Sequence, residues 1–282
     1  MEMMKTRIIY SEQLLYTKRG EVMIDIHSHI LPGIDDGSKD MEMTLEMLRN
    51  AEKDGTREIV ATPHYLLEYG EATIGEVKSL VQEVNSIINK EGINIKVYSG
   101  QEVYFNENII NNYLEGKIGT INDSRYILVE FSMHKFDDNI FDILYELQVR
   151  DVTPIIAHPE RYKPFREDPS LINEFIDQGY LFQMNAGSIT GRFGESIRKT
   201  THIFLENNIY NFIGSDAHDI DNRTTGLRKA ISILNDNNNE IINKNVFEES
   251  SKKLINNEVI NFVGKKVKIK KSIFSFFRTK SK

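Results

Sequence analysis

Met23-Ile24-Asp25-Ile26-His27-Ser28-His29-Ile30-Leu31-Pro32-Gly33-Ile34-Asp35-Asp36-Gly37 is the stretch from which the whole chain can be read outward. Met23 to Ile26 has the pattern of a short buried strand, and it delivers two histidines one residue apart into a loop rich in Pro, Gly and Asp, where periodicity stops. Side chains at i and i+2 of an extended chain share a face, so His27 and His29 can reach a single ion. Neutral imidazole is the commonest protein ligand for transition metals, and Asp35 or Asp36 can add a hard oxygen. Alone, His-x-His also fits two ordinary histidines near a strand end. What the rest of the chain places at its own strand ends decides between the two.

The same design recurs. Glu58-Ile59-Val60-Ala61-Thr62-Pro63-His64 reads as a buried strand stopped by proline with a histidine beyond it, and Ile95 to Glu102 as a strand ending on a carboxylate. Tyr126 to Glu130 ends on Glu130, Thr153 to His158 on His158, and Tyr210 to His218 on Asp-x-His; Tyr180 to Ala186 is a strand leading into a Gly/Ser loop. Helical patterns lie between them. Met41, Leu45, Leu48 and Ala51 keep helical spacing before Gly55, and Thr73-Ile74-Gly75-Glu76 has capping-box spacing ahead of the stripe Ile74, Val77, Val81, Val84 and Ile88. Ile140, Ile143, Leu144 and Leu147 form another stripe, with further helices at Leu171–Ile176 and Leu227–Leu234.

Seven buried β-runs at intervals of about 27–37 residues, alternating with helices, predict an α/β fold with a parallel sheet. Parallel strands expose their C-terminal ends on one side, where barrel enzymes build active sites, and seven strands suit a barrel better than an open sheet. The residues gathered there are His27, His29, Asp36, His64, Glu102, Glu130, His158, Asp216 and His218, including five of the seven histidines. His134 and His202 read as ordinary surface residues. Nine mixed N/O ligands exceed one tetrahedral ion and suit two or three with a bridging carboxylate. Three divalent ions against four carboxylates leave a net charge of roughly +2, which would attract an anion and stabilise a hydroxide.

Composition narrows the chemistry. The 282 residues contain no cysteine, which excludes disulfides, thiolate metal sites and a cysteine nucleophile within this chain. A hydrophobic content of 40% supplies a core, and no apolar run is long enough to span a bilayer. The N-terminus lacks a continuous apolar signal-type stretch, so a cytoplasmic location is expected. The formal charge of −7 includes a C-terminal stretch, 265–282, with eight Lys/Arg and no acid, so the remainder carries about −15 and is a poor nucleic-acid partner.

Taken together, His-x-His, Asp-Asp-Gly, Ala-Thr-Pro-His, Gly-Gln-Glu, a strand ending in Glu-Phe, His-Pro-Glu-Arg and Ser-Asp-Ala-His resemble the PHP (polymerase and histidinol phosphatase) superfamily. Within it, Asp25 to Gly37 and His158-Pro159-Glu160-Arg161 resemble the bacterial capsule-locus protein-tyrosine phosphatases of the CpsB/CapC type, over Met23 to about Asn261. The resemblance implies a distorted (β/α)7 TIM-like barrel and a metal-dependent protein-tyrosine phosphatase working through a metal-bound hydroxide. By analogy, His27, His29, Glu102 and Asp216 would hold one ion. Glu102 would bridge to a second with Glu130 and His158, while Asp36, His64 and His218 would hold the third. Manganese is the expected ion, with iron and zinc as alternatives. Arg161 and Arg223 match the family's phosphate-contacting arginines, although a helix cap and a solvated loop charge are the plain structural readings of the two. The implied partner is a phosphotyrosine protein, the tyrosine-rich tail of a membrane-associated bacterial tyrosine kinase controlling exopolysaccharide assembly. The competing enzyme reading is a small-molecule phosphatase such as one acting on histidinol phosphate; a polymerase proofreading module or silent scaffold fits the acidic body and full ligand set less well. An amidohydrolase would not call for the two arginines.

The expected organisation is an N-terminal extension over 1–22, a barrel over 23–262 and a basic-aromatic tail over 263–282. Arg19-Gly20-Glu21-Val22 is compatible with a translated ribosome-binding sequence, which would make Met23 the native start, and equally the region around Ile8 to Leu15 could form a helical arm. The tail, with Ile269, Ile273, Phe274, Phe276 and Phe277 among its basic residues, suits either peripheral contact with an anionic membrane or a solubilising tail.

Overall fold

A computed structural model describes residues 23–66, 70–236 and 245–268. The expected extension over 1–22 and the tail beyond Lys268 lie outside the described residues. Within them, the strands are β1 (Met23–Ser28), β2 (Thr56–Ala61), β3 (His64–Leu66), β4 (Gly70–Glu71), β5 (Lys96–Ser99), β6 (Glu102–Tyr104), β7 (Tyr126–Glu130), β8 (Thr153–Ala157), β9 (Leu181–Asn185) and β10 (Phe212–Gly214). Two of the seven expected strands are each split in two. Pro63 lacks the N–H needed to continue a ladder, which separates β2 from β3. Gly100 separates β5 from β6 at a close approach, where an added Cβ would lie 3.0 Å from Val60 Cγ1. The splits give two sheets, β1-β2-β5 and β10-β9-β8-β7-β6-β3-β4. Every pairing is parallel except β3 with β4.

Because β2 runs into β3 and β5 into β6, the two sheets continue one another, and seven successive chain strands follow in order. The last meets the first through a short seam rather than a full ladder. Ser28 bridges Ala217 in parallel, Asp216 N donates to His27 O (2.8 Å) and His29 N donates to Ala217 O (2.8 Å). The arrangement is the distorted (β/α)7 fold expected from the sequence, and three residues of the seam, His27, His29 and Asp216, are candidate ligands.

The helices form where sequence chemistry places them. Thr73 caps Ile74–Glu91 in a reciprocal box with Glu76, Gly92 ends it in the left-handed conformation, and Ile74, Val77, Val81, Val84 and Ile88 are its buried stripe. Met41–Asp54 starts on Asp40 and stops at Gly55 (φ 105°), but its buried face is Thr44, Met47, Leu48 and Ala51, turned from the expected stripe. Thr44 can occupy the buried face because its hydroxyl donates to Ile30 O (2.7 Å). Ile140–Gln148 buries Ile140, Leu144 and Leu147, leaving Ile143 half-buried. No helix among the described residues is long and apolar enough to cross a membrane.

An apolar cluster that includes Ile24, Ile26, Val60, Tyr98, Tyr126, Leu128, Ile155, Leu181 and Phe212 draws on the strands around the ring. Polar residues follow on the same face of those strands at a spacing of two: Glu130 after Leu128, and Gln183 and Asn185 after Leu181. At the other end, where strands begin, the chain after the helix Asn245–Ile255 is strapped down. Tyr126 donates to Glu258 O (2.7 Å) and accepts from Ile260 N (2.9 Å), and Asn173 exchanges two hydrogen bonds with Val267.

Candidate metal centre

The nine expected residues converge at the C-terminal strand ends. Three overlapping groups each offer ligand atoms within 4.8 Å of one another: His27, His29, Glu102 and Asp216; His64, Glu102 and Glu130; His29, Asp36, His64 and His218. The ninth, His158, places Nε2 2.9 Å from Glu102 Oε1 and 3.6 Å from Glu130 Oε1. Glu102 is the hub. Its Oε2 lies 3.2 Å from His27 Nε2, 3.3 Å from His29 Nε2 and 3.2 Å from His64 Nδ1. His134 and His202 are in none of the groups. Arg161 and Arg223 both reach Asp216, Nη1 to Oδ2 at 2.8 Å and Nη2 to Oδ1 at 2.7 Å.

The donor set is suited to a cation on chemical grounds. His27 Nδ1 faces Gln183 Oε1 (3.0 Å), and His29 Nδ1 faces Asp35 Oδ2 (2.7 Å). A ring N–H directed at each of these acceptors leaves both Nε2 atoms as lone pairs. Yet the two Nε2 atoms are 3.3 Å apart, and carboxylate oxygens of Glu102 and Asp216 crowd the same point. Lone pairs converging in a buried site require a positive charge between them. Without ions, protons must supply it. Burial opposes the charge on His29, but its hydrogen bonds to Asp35 and Glu102 outweigh burial and raise its pKa well above the usual histidine range. The Glu130 carboxyl is also raised, well above the usual carboxylate range, but here by burial itself and by the like charge of neighbouring Glu102. His158 goes the other way, pushed down to about 4 by burial and by the Arg161 charge, so it is neutral, as a metal-ligating imidazole must be.

Two of the nine residues sit on strained backbone. His158 (φ 30°) and Asp216 (φ 52°) are in the left-handed region, which costs a non-glycine residue ~1–3 kcal/mol and persists where surrounding structure enforces it. The enforcing bonds are the seam hydrogen bond from Asp216 N and the donation of Arg161 N to His158 O (2.9 Å). Glycines press from behind. An added Cβ on Gly37 would lie 2.1 Å from His29 O, and one on Gly214 would lie 2.5 Å from His27 Cβ.

Of the two aspartates offered as oxygen donors, Asp35 takes the place behind His29, accepting also from Gly37 N and His64 N at 3.0 Å each, while Asp36 turns toward His218 (3.3 Å) and His64 (3.6 Å). Several further supporting residues were not singled out from the sequence. Gln183 orients His27, and Asn185 donates to Asp216 Oδ2 (2.7 Å). Asp25, wholly buried, accepts from His27 N and Ser215 N. Glu160 holds the turn after β8 against β9, accepting from Asn185 N (2.9 Å) and from the Tyr210 hydroxyl (3.0 Å). The signal for Gln183 and Asn185 was available: two amides spaced by two in an otherwise apolar strand share one face.

The mouth lies where exposure remains. The side chains of Asp36, Arg161 and Arg223 are 33%, 20% and 30% exposed, against at most 2% for His27, His29, Glu102, His158 and Asp216. Arg223 Nε is buried with no hydrogen-bond partner among the described residues.

The family described as "Capsular polysaccharide synthesis, CpsB/CapC" matches residues 23–256. The tyrosine-protein phosphatase YwqE of Bacillus subtilis strain 168 is 34% identical over 75% of this chain and 84% of its own length. The tyrosine-protein phosphatase CpsB of Streptococcus pneumoniae is 30% identical over 84% of this chain and 100% of its own. A solved structure from a crystallographic description of YwqE and CpsB as unique metal-dependent tyrosine phosphatases superposes with a TM-score of 0.81 at 32% identity, covering 88% of this chain and 100% of that one. Sequence, fold and site geometry place the chain in the CpsB/CapC family of capsular polysaccharide synthesis proteins.

Proposed function

We propose that this chain is a metal-dependent phosphatase that hydrolyses phosphotyrosine in proteins. The observation that carries the reading is the meeting, on Asp216, of a buried lone-pair cluster with two part-exposed guanidiniums. His27, His29, Glu102 and Asp216 would hold one divalent ion. Glu102, Glu130 and His158, with His64 alongside, would hold a second, and Asp36, His64 and His218, with His29 alongside, a third. A donor set of imidazole and carboxylate without sulfur suits Mn²⁺, with Fe or Zn as alternatives. Such ions polarise water and phosphoryl oxygens as Lewis acids.

The chain's own residues supply the remainder. Each arginine commits one nitrogen to Asp216 and retains further N–H donors for phosphoryl oxygens, where forked charge-assisted hydrogen bonds are strong. Asp216, held by Arg161, Arg223 and Asn185, keeps its carboxyl well below the usual carboxylate range despite burial, under the pull of His27 and the two arginines. It therefore remains an anion that fixes both guanidiniums at the mouth. A tyrosyl phenolate, with a pKa of ~10, departs without a strong general acid. With no cysteine in the chain, a thiol phosphoenzyme is not available to it.

The substrate we infer is the phosphorylated tail of a membrane-associated bacterial tyrosine kinase, and the family's description in capsular polysaccharide synthesis supports it. Contact of the basic tail with the inner membrane surface would bring the two together; vesicle co-sedimentation of the chain with and without residues 269–282 tests that, and equal binding of both forms rejects it. The function itself is tested by steady-state kinetics on phosphotyrosyl peptide, phosphoseryl peptide and histidinol phosphate. The phosphotyrosyl peptide should be the best substrate by a wide margin. Faster turnover of histidinol phosphate would transfer the assignment to a small-molecule phosphatase.

A further inference from the structure

Beyond the metal ligands and the two arginines, one aromatic side chain packs against Arg161 outside the apolar core. Phe193 is half-buried yet belongs to none of the three apolar clusters of the core. Its ring packs against the Arg161 guanidinium, 4.8 Å from carbon to ring centroid, at the distance of a cation–π contact. The ring enters a space kept open by a glycine: an added Cβ on Gly187 would lie 2.8 Å from Phe193 Cε2. The turn that carries it is closed by Arg192 N on Gly187 O (3.0 Å) and Gly194 N on Gly191 O (3.1 Å), with Gly191 (φ 84°) and Gly194 (φ 91°) on either side in backbone that favours glycine. The turn is tied to the metal centre through Asn185, whose Oδ1 accepts from Gly187 N (2.7 Å) while its Nδ2 donates to Asp216. Strand end, turn and ring are thus one constructed wall beside Arg161.

We propose that Phe193 is a specificity-determining residue for aromatic phosphate esters, its open side packing against the substrate's phenyl ring while Arg161 holds the phosphoryl group. This rests on the phosphotyrosine reading above. A phosphoryl group bound at Arg161 carries its ester substituent at the same mouth as the ring stacked on that guanidinium. An aryl substituent gains an aromatic contact there that an alkyl one lacks, worth on the order of three- to tenfold in affinity.

The test compares the metal-loaded wild type with Phe193→Leu and Phe193→Tyr. Phenylphosphonate and methylphosphonate dissociation constants are measured by calorimetry, alongside kinetics on phosphotyrosyl peptide and metal content. Phe193→Leu should weaken phenylphosphonate about three- to tenfold and methylphosphonate less than twofold, raise KM for the peptide more than it lowers kcat, and retain bound metal. Phe193→Tyr should restore phenylphosphonate binding. Equal weakening of both phosphonates, unchanged binding of both, or a wild type that does not prefer phenylphosphonate would overturn the proposal. A wild type that fails to hydrolyse phosphotyrosine but binds phenylphosphonate in a Phe193-dependent way would reject the phosphotyrosine reading and leave the aromatic wall standing.

Discussion

Replacing Asp35 by asparagine removes one charge and exchanges one acceptor for a donor, with almost no change of shape. In the structure this carboxylate is fully used: Oδ2 accepts from His29 Nδ1 (2.7 Å) and His64 N (3.0 Å), and Oδ1 accepts from Gly37 N (3.0 Å). Asparagine has two orientations available. With its oxygen toward His29, its amide N–H groups oppose the Gly37 N–H, leaving a donor unsatisfied at a cost of about 1–3 kcal/mol. With its nitrogen toward His29, the imidazole must shift its proton to Nε2, which blocks the lone pair aimed at Glu102 and Asp216. Either way the imidazole is held less firmly in its ligating tautomer, and loss of such a partner typically lowers metal affinity 10–100-fold, about 1.4–2.7 kcal/mol. Competition of Asp35→Asn against a chelator of known affinity measures this directly, with the melting temperature of the metal-free protein as a control for folding. Metal affinity equal to wild type would refute the assignment of Asp35 as the residue that orients His29. So would a loss fully matched by destabilisation of the metal-free form.

Arg161→Ala and Arg223→Ala should each lower kcat/KM by roughly one to two decades, the ~1.5–3 kcal/mol of a charge-assisted hydrogen bond, while bound metal stays at the wild-type level. Undiminished kcat/KM, measured with phosphotyrosyl peptide, would remove their role. Gly214→Ala inserts a methyl group 2.5 Å from His27 Cβ and 2.8 Å from Gln183 Nε2, so it should reduce both metal content and thermal stability, by about 1–3 kcal/mol as read from chemical denaturation. Tyr126→Phe removes a hydroxyl that both donates to Glu258 O and serves Ile260 N, and should cost about 1–3 kcal/mol of stability with metal affinity unchanged, because the strap it anchors lies at the opposite end of the strands.

The large features were legible because parallel strands impose a simple geometry. Once seven buried runs are recognised, their C-terminal ends must lie together, and residues as far apart in sequence as His27 and His218 become neighbours without any local signal linking them. The residues that escaped are those whose chemistry is ordinary. Gln183 and Asn185 are neutral amides in an apolar strand, and only their common face with Leu181 sets them apart. Asp35 and Asp36 are indistinguishable as a pair; the turn through Gly37, which leaves no room for a Cβ against His29, sends one behind the histidine and the other to the mouth. The buried face of Met41–Asp54 differs from the expected stripe because a stripe counted in apolar residues omits Thr44, whose hydroxyl is satisfied in the core by the distant carbonyl of Ile30, with Asp40 O and Ser38 Oγ also in reach. The breaks at Pro63 and Gly100 divide strands that read as continuous, since a hydrophobic run carries no record of where its ladder changes partners. Phe193 gave no periodic signal at all, and its contact with Arg161 exists only in three dimensions.

The most direct measurement is elemental analysis of the purified chain paired with turnover of a phosphotyrosyl peptide by the same sample, before and after chelation. Three divalent ions per chain are expected, with activity abolished by chelation and restored by Mn²⁺. Full activity in a sample stripped of metal would contradict the central claim that these nine residues work by holding ions.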